Sequence, residues 1–75
     1  MTAQEVQALI EAGLPGATVD VSDQRGTGDH FVAVVRWEGF RDLSLVDQHK
    51  LVYATLGDRL TREIHALQLQ TGVPE

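Results

Sequence analysis

Three histidines are the side chains in this sequence best suited to metal binding or proton transfer near neutral pH. They are His30, His49 and His65, and the sequence contains no cysteine. His30 opens a segment of β-branched and aromatic residues, and His65 stands early in a later alternating segment. The spacing of these two histidines is not that of a local ligand motif, so only folding could bring them together. A half-buried histidine with a hydrogen-bonded ring is the commoner interpretation of each.

Other catalytic groups form no recognisable pattern. Ser22 and Ser44 lack a nucleophile motif, and Ser44 is better placed as a helix cap. The glycine-containing residues 24–29 (QRGTGD) lack the Gly-Lys-Ser/Thr of a phosphate-binding loop. The carboxylates that stand close together along the chain are typical of solvated or capping residues, and no general acid–base pair stands out. We therefore expect no enzyme activity.

The segment that organises these residues is 40–56, FRDLSLVDQHKLVYATL. Its apolar side chains recur at the helical period in two adjoining rows: Leu45, Val52 and Leu56, and Val46 and Tyr53. Ser44 predicts an N-cap, with Asp47 three residues later at the positive end of the helix dipole. Gly57 predicts the end of the helix. His49 lies on this helix, where a local hydrogen bond is its commoner role.

A first helix and a hairpin precede this segment. Thr2 and Glu5 have the spacing of a capping box, and Gly13, Pro15 and Gly16 predict the end of the first helix. Residues 17–23 (ATVDVSD) alternate apolar and polar side chains, and residues 30–37 (HFVAVVRW) are β-branched and aromatic. Two such segments around a glycine loop predict a hairpin.

A short helical turn is predicted at residues 58–62, and the alternating residues 63–70 (EIHALQLQ) predict a third strand. His65 and Leu67 belong to the same face of that strand. The predicted order is α-β-β-α-β. This order indicates a small two-layer α+β domain over residues 1–75, with helices on one face of a three-stranded sheet.

The chain has 75 residues and a formal net charge of −5, with six Lys+Arg against eleven Asp+Glu. Most nucleic-acid affinity comes from neutralised phosphates, so this net charge disfavours nucleic-acid binding unless a local basic patch opposes it. No signal peptide or membrane span is indicated. The absence of cysteine fits a reducing compartment, and we expect a cytoplasmic protein.

These residues resemble the signature of the BolA-like protein family. Residues 40–56 followed by EIHALQLQT at 63–71 are similar to the family pattern. That pattern is an aromatic residue, any residue, Gly, two residues and Leu, then a polar turn with His, Leu/Met-Val-Tyr and Leu, and finally Ile/Val-His-Ala-Leu. GDHF at residues 28–31 also matches the family's entry into its second strand. The resemblance covers nearly the whole chain and implies the class II KH-like α-β-β-α-β fold.

The function that the resemblance implies is a non-enzymatic adaptor. BolA-like proteins pair with monothiol glutaredoxins and share a two-iron, two-sulfur (2Fe-2S) cluster with them, in iron–sulfur trafficking and iron sensing. The family's ligand histidine falls on His65, and a second ligand from the loop between the first two strands is assigned to His30. A glutaredoxin cysteine and glutathione would supply the thiolates, so we expect no cluster on the isolated chain. Because ligand histidines must be neutral, cluster binding should weaken as the pH falls through about 6.5.

The resemblance also implies a partner surface near the main helix and the C-terminus, assigned here to Trp37, His49, Lys50, Tyr53 and Leu67. Trp37 and Tyr53 are otherwise expected in the core or at its rim, although tryptophan is enriched at binding hot spots. The sequence departs from the family pattern before the helix. Asp42 stands in place of the family's glycine, or else Gly39 is that glycine, displaced by an insertion.

Two other functions remain open. Some family members are linked to DNA through a helix-turn-helix-like segment, here residues 44–62, and would act as transcriptional regulators. Basic and acidic side chains alternate around that segment, whereas a DNA-binding face should show a basic stripe. KH-type RNA binding would need a Gly-x-x-Gly loop, which the sequence lacks. The other function that remains open, besides DNA-linked regulation, is that of an unrelated small interaction module. A weak homodimer through an exposed strand edge is also possible.

Overall fold

The helices and strands follow one another along the chain in the predicted order, as a computed structural model describes for residues 1–64 and 66–74. The elements are α1 (Ala3–Gly13), β1 (Thr18–Asp23), β2 (His30–Arg36), a 3-10 turn (Glu38–Phe40), α2 (Leu45–Leu56), α3 (Arg59–Arg62) and β3 (Ala66–Gly72). The α+β class and the order of the elements are confirmed. None of the described helices is long and apolar enough to cross a membrane.

The three described strands form one mixed sheet in the order β1-β2-β3. β1 and β2 are antiparallel, with Asp23 opposite Phe31, which confirms the predicted hairpin. β2 and β3 are parallel, with His30 opposite Ala66. Parallel neighbours require a crossover connection, which α2 and α3 provide. The end of β1 and the starts of β2 and β3 therefore meet at one end of the sheet.

The core lies between one face of the sheet and the two longer helices. Its buried side chains come from alternate positions of β1 and β2 and from one face of each helix: Val19, Val21, Phe31, Ala33 and Val35 with Val6, Ile10, Val52 and Leu56. The intervening strand residues, such as Asp20 and Val34, are more exposed. Both helices therefore cover the same face, as the sequence predicts.

The ends of both helices follow the predicted capping pattern. The Ser44 hydroxyl accepts a hydrogen bond from the Asp47 N–H at 3.1 Å, and Gly57 follows α2 with a φ of 56°. At α1, the Thr2 N–H donates to the Glu5 carboxylate at 3.0 Å and the Glu5 N–H donates to the Thr2 hydroxyl at 3.1 Å. The first of these bonds, supported by the Thr2 hydroxyl, lowers the pKa of Glu5.

The buried face of α2 differs from the predicted apolar rows. Val52 and Leu56 are buried, but Leu45 is 63% exposed because no described element covers the first turn of the helix there. The second predicted row, Val46 and Tyr53, is also exposed. The buried position one turn before Val52 is instead Gln48.

Burial of Gln48 depends on a polar contact that hydrophobic periodicity does not reveal. Its side-chain amide donates a hydrogen bond to the Leu43 carbonyl at 2.9 Å. This carbonyl belongs to the turn that leads into α2. The amide therefore ties the turn to the helix, and a polar side chain takes a position that the core would otherwise fill with an apolar one.

The predicted start of the third strand at residue 63 is wrong. The backbone N–H groups of Glu63 and Ile64 both donate to the Arg59 carbonyl, at 3.0 and 2.8 Å. The chain is therefore still closing α3 at these positions, and β3 begins at Ala66. Elsewhere the predicted and observed strand limits differ by one residue at the start of β1 (Thr18) and the end of β2 (Arg36), and by two residues at the end of β3 (Gly72).

The turn before α2 contains a backbone conformation that non-glycine residues rarely adopt. Asp42 has a φ of 67°, after Arg41 with φ −57° and ψ 131°. The Leu43 N–H donates to the Phe40 carbonyl at 3.0 Å, which closes a type II turn. Such turns favour glycine at the third position. Asp42 therefore stands at a turn position that favours glycine, whereas Gly39 lies in the preceding 3-10 turn.

Candidate functional site

His30 lies at the end of the sheet where β1, β2 and β3 meet, as the first residue of β2. Its side chain is 15% exposed, and its Nδ1 atom lies 2.7 Å from Oδ1 of Asp29. An ionised carboxylate can only accept a hydrogen bond, so Nδ1 carries the proton in this pair. In a neutral ring with that tautomer, Nε2 is the unprotonated nitrogen and carries the lone pair that can coordinate a metal.

Asp29 contacts three parts of this end of the sheet. Its carboxylate accepts hydrogen bonds from the His30 ring and from the hydroxyl of Thr27. Its backbone carbonyl accepts a hydrogen bond from the Ala66 N–H at 3.0 Å. One residue thus connects the loop, the His30 ring and the first residue of β3.

The loop before His30, residues 24–29, is folded around the carboxylate of Asp23. Oδ1 of Asp23 accepts hydrogen bonds from the N–H groups of Arg25 at 3.3 Å and Gly26 at 2.9 Å. Oδ2 accepts from the Gly28 N–H at 2.8 Å. Gly26 and Gly28 have φ values of 71° and 77°, in the left-handed region that glycine tolerates. A charged acceptor therefore holds the loop against the end of the hairpin.

Sequence reasoning missed both of these carboxylates as parts of the site. It interpreted Asp23 as a solvated or capping residue and gave no role to Asp29. An aspartate followed by glycines in a loop is a signal for the Asp23 contacts, because such side chains often bind nearby backbone N–H groups. The adjacency of Asp29 to a histidine is a weaker signal, because neighbouring side chains on a strand usually point to opposite faces.

The other predicted ligand, His65, lies outside the described residues. The residue after it, Ala66, is the register partner of His30. Within residues 1–64 and 66–74, no group of three or more histidine, cysteine, aspartate or glutamate side chains could hold a metal ion. The pairing of His30 with His65 as ligands stays a prediction.

Three of the predicted partner residues lie on one side of α2. The rings of His49 and Tyr53, one turn apart, meet edge to face with centroids 6.4 Å apart. Lys50 and Tyr53 are exposed, and so is Val46, which precedes His49 by one turn. We call Val46, His49, Lys50 and Tyr53 the α2 face. It presents apolar and aromatic surface together with a cation, a composition suited to a protein partner.

The other two predicted partner residues lie elsewhere and pack within the chain. The Trp37 ring N–H donates to the Pro15 carbonyl at 2.9 Å, and its ring packs edge to face on Phe40 with centroids 5.4 Å apart. It follows the end of β2 opposite to His30. Leu67 is half-buried against the core, in register with Phe31. Their role in partner binding stays a prediction. The contacts of Trp37 with Pro15 and Phe40 indicate a structural role.

One of the basic side chains near α2, Arg41, is paired with an acidic side chain of the same chain. Arg41 donates to the Glu38 carboxylate through Nε at 2.5 Å and Nη2 at 2.9 Å. This hydrogen-bonded pairing lowers the pKa of Glu38 and raises the pKa of Arg41. Arg59 and Arg62 lie in α3, a helix of four residues. The positive charge of Arg41 is therefore balanced within the chain.

The chain is similar to known proteins both in sequence and in structure. A family model described as BolA-like protein matches residues 15–75. The structure of a bolA protein homologue from Coxiella burnetii has a TM-score of 0.85 and 36% identity, and the alignment covers 99% of this chain and 92% of that one. The BolA domain of SufE1 from Arabidopsis thaliana has a TM-score of 0.83 and 27% identity, and the alignment covers 96% of this chain and 91% of that one.

A Vibrio cholerae protein named DNA-binding transcriptional regulator BolA is 45% identical over 47 residues. That match covers 63% of this chain and 44% of the Vibrio protein. The aligned part thus spans less than half of the relative's length.

Proposed function

The chain belongs to the BolA-like protein family, and on that premise we propose that it is a non-enzymatic adaptor that shares a bridging 2Fe-2S cluster with a monothiol glutaredoxin. The observation that carries the proposal is the placement of His30 at the end of the sheet. The His30 ring donates through Nδ1 to Asp29, and its backbone lies opposite Ala66, the residue that follows His65.

The donor set of the chain suits one half of such a cluster. Histidine can replace cysteine as a ligand to one iron of a 2Fe-2S centre. The sequence has no cysteine, so the thiolates would come from the glutaredoxin and from glutathione. His30 and His65 are the proposed ligands on this side. When bound, the cluster would be the cargo that the two proteins hold together.

The α2 face is the proposed contact for the glutaredoxin. Val46 is 63% exposed and Tyr53 is 37% exposed, and they flank Lys50 on the same helix. Tyrosine is among the side chains enriched at the hot spots of protein interfaces, and the exposed valine adds apolar surface beside it. A cation among them can attract an acidic partner surface and set its orientation.

Cluster reconstitution tests the proposal. The protein is mixed with a monothiol glutaredoxin, glutathione, iron and sulfide, and the visible absorption and circular dichroism spectra are recorded. Wild type is compared with His65→Ala, His30→Ala and Gln68→Ala, the last a control because Gln68 is an exposed position of β3. Far-ultraviolet circular dichroism checks that each variant is folded.

We expect a spectrum distinct from that of the glutaredoxin alone with wild type and with Gln68→Ala. It should be lost with His65→Ala and weakened or lost with His30→Ala. A spectrum identical to that of the glutaredoxin alone in every mixture would show that the histidines are not ligands, and the proposal would fail.

A DNA-linked regulator is the second candidate function, because the Vibrio relative carries that name. The segment concerned is residues 44–62, where Lys50, Arg59 and Arg62 are exposed. Fluorescence anisotropy with a labelled duplex, at salt from about 50 to 200 mM, tests this function through the salt dependence of phosphate contacts. Binding that persists at the higher salt and weakens with Lys50→Ala would favour regulation, and its absence would favour the adaptor.

A further inference from the structure

Asp29 and His30 are adjacent in sequence, yet their side chains are hydrogen-bonded at the end of the sheet. The Nδ1–Oδ1 distance is 2.7 Å, and the ring is less exposed than the carboxylate, at 15% against 43%. A charge-assisted hydrogen bond to a largely buried ring restricts both its rotation and its tautomer. The geometry is thus suited to orienting the ring.

The Asp29 carboxylate is itself held in place. Thr27 donates its hydroxyl to the same Oδ1 atom, and the Asp29 carbonyl is bound to the Ala66 N–H. The three backbone hydrogen bonds to Asp23 fix the preceding part of the loop. The acceptor for His30 is therefore positioned before any ligand arrives.

We propose that Asp29 is a positioning residue that holds His30 in the Nδ1–H tautomer and directs its Nε2 lone pair towards the metal. The identity of that metal, an iron of the shared cluster, rests on the proposed function. A carboxylate that accepts the other ring N–H of a ligand histidine fixes its orientation and raises its basicity. Loss of such a carboxylate typically lowers metal affinity by about 10- to 100-fold.

The tautomer can be measured in the protein without metal. Long-range proton–nitrogen correlation spectra of ¹⁵N-histidine-labelled protein, at about pH 8 where an ordinary imidazole is neutral, distinguish protonated from unprotonated ring nitrogens. We expect His30 to show a protonated Nδ1 in wild type. Asp29→Ala should produce a mixture of tautomers, because the fixed acceptor is gone.

Two further variants separate positioning from a general effect on the loop. Thr27→Ala removes the hydroxyl that also donates to Asp29 but keeps the carboxylate beside the His30 ring, so the His30 tautomer should stay unchanged. Asp29→Asn keeps an acceptor oxygen and should restore the Nδ1–H tautomer in part. A protonated Nε2 in wild type, or an unchanged tautomer in folded Asp29→Ala, would overturn the proposal.

The functional consequence is measured by cluster reconstitution with the glutaredoxin. Asp29→Ala should lower the affinity for the cluster by about 10- to 100-fold, which would appear as incomplete loading or as correspondingly faster loss of the cluster. Unchanged cluster retention in Asp29→Ala, together with its loss in His30→Ala, would overturn the role of Asp29 towards the metal. If wild type forms no mixed cluster, the proposed function fails, whereas the tautomer result still decides whether Asp29 positions His30.

Discussion

His30 and Ala66 lie opposite each other in the parallel ladder between β2 and β3. Neighbouring strands are about 4.8 Å apart, and a shift of one residue moves a strand by about 3.3 Å. The position of His30 relative to the first residue of β3 therefore depends on strand register. The Asp29 carbonyl, which accepts from the Ala66 N–H, is one of the contacts that fix this register.

Removal of the Asp23 carboxylate should loosen the loop beside His30. Asp23→Ala leaves three backbone N–H groups without their charged acceptor, and water replaces it only in part. We expect a loss of about 1–3 kcal/mol in the free energy of unfolding, measured with urea. Amide hydrogen exchange at Gly26 and Gly28 should accelerate.

Asp20→Ala is the matched control, because this carboxylate is exposed on the same strand. It should leave the exchange of the loop amides unchanged. Equal effects of the two variants would mean that the loop is not held by Asp23.

The sequence predicted the parts of the fold that depend on local chemistry. The caps at Thr2 and Ser44 and the end of α2 at Gly57 follow from backbone groups that need partners within a few residues. The alternation of β1 follows from the period of a strand. These features are confirmed because distant parts of the chain do not alter them.

The parts that were missed depend on contacts formed only in the folded chain. Gln48 is buried because its amide reaches the Leu43 carbonyl. Leu45 is exposed because the described elements do not cover the start of α2. Asp23 and Asp29 become parts of the site only once the loop folds back on them, which hydrophobic periodicity does not reveal.

Replacement of Asp42 by glycine should stabilise the protein. Asp42 has a φ of 67° at the third position of a type II turn, where a Cβ atom is unfavourable. We expect Asp42→Gly to raise the free energy of unfolding by up to about 1 kcal/mol, since relief of strain exceeds the added entropy of the unfolded chain. Asp42→Val should lower it by about 1–2 kcal/mol, because a β-branched residue is a poor fit there. Equal free energies of unfolding for Asp42→Val and Asp42→Gly in urea denaturation would contradict this explanation.

A charge at position 48 should be poorly tolerated. Within the described part of the chain, Oε1 of Gln48 has no hydrogen-bond partner, whereas its amide nitrogen donates to Leu43. Gln48→Met should lower the free energy of unfolding by less than about 1.5 kcal/mol, because it removes one unsatisfied atom along with one hydrogen bond. Gln48→Glu should lower the free energy of unfolding by about 2–4 kcal/mol at neutral pH, because it places a carboxylate against a carbonyl oxygen.

The pH dependence of these two variants provides the check. The deficit of Gln48→Glu should shrink as the pH is lowered and the new carboxyl group binds a proton, which lets it donate to the Leu43 carbonyl. The deficit of Gln48→Met should change little. Parallel urea denaturation series at neutral and acidic pH would measure both, and a constant deficit for the glutamate variant would be inconsistent with a buried charge.

Two exposed carboxyl groups should titrate below their ordinary pKa of 4.5. Hydrogen bonds from Thr2 lower the pKa of Glu5, and the hydrogen bond from Arg41 lowers the pKa of Glu38. A lowered pKa in the folded state means that each interaction stabilises the protein above about pH 4.5 and is lost as the pH falls through the lowered value. Carboxyl-carbon chemical shifts, followed through a pH titration, should show the pKa of Glu38 returning towards 4.5 in Arg41→Gln. The pKa of Glu5 should not change. Movement of both groups together would point to a global effect of net charge.

Binding of the proposed glutaredoxin partner should depend on one side of α2. Tyr53 and Leu51 are each 37% exposed, but they lie two residues apart on the helix and therefore point in different directions. Truncation of an aromatic side chain at an interface commonly costs about 1–2 kcal/mol or more. Tyr53→Ala should therefore weaken binding by at least about 10-fold in isothermal titration calorimetry, whereas Leu51→Ala should leave it nearly unchanged. If Leu51→Ala weakened binding and Tyr53→Ala did not, the contact would lie on the other side of α2, and His49 and Lys50 would lose their proposed role with it.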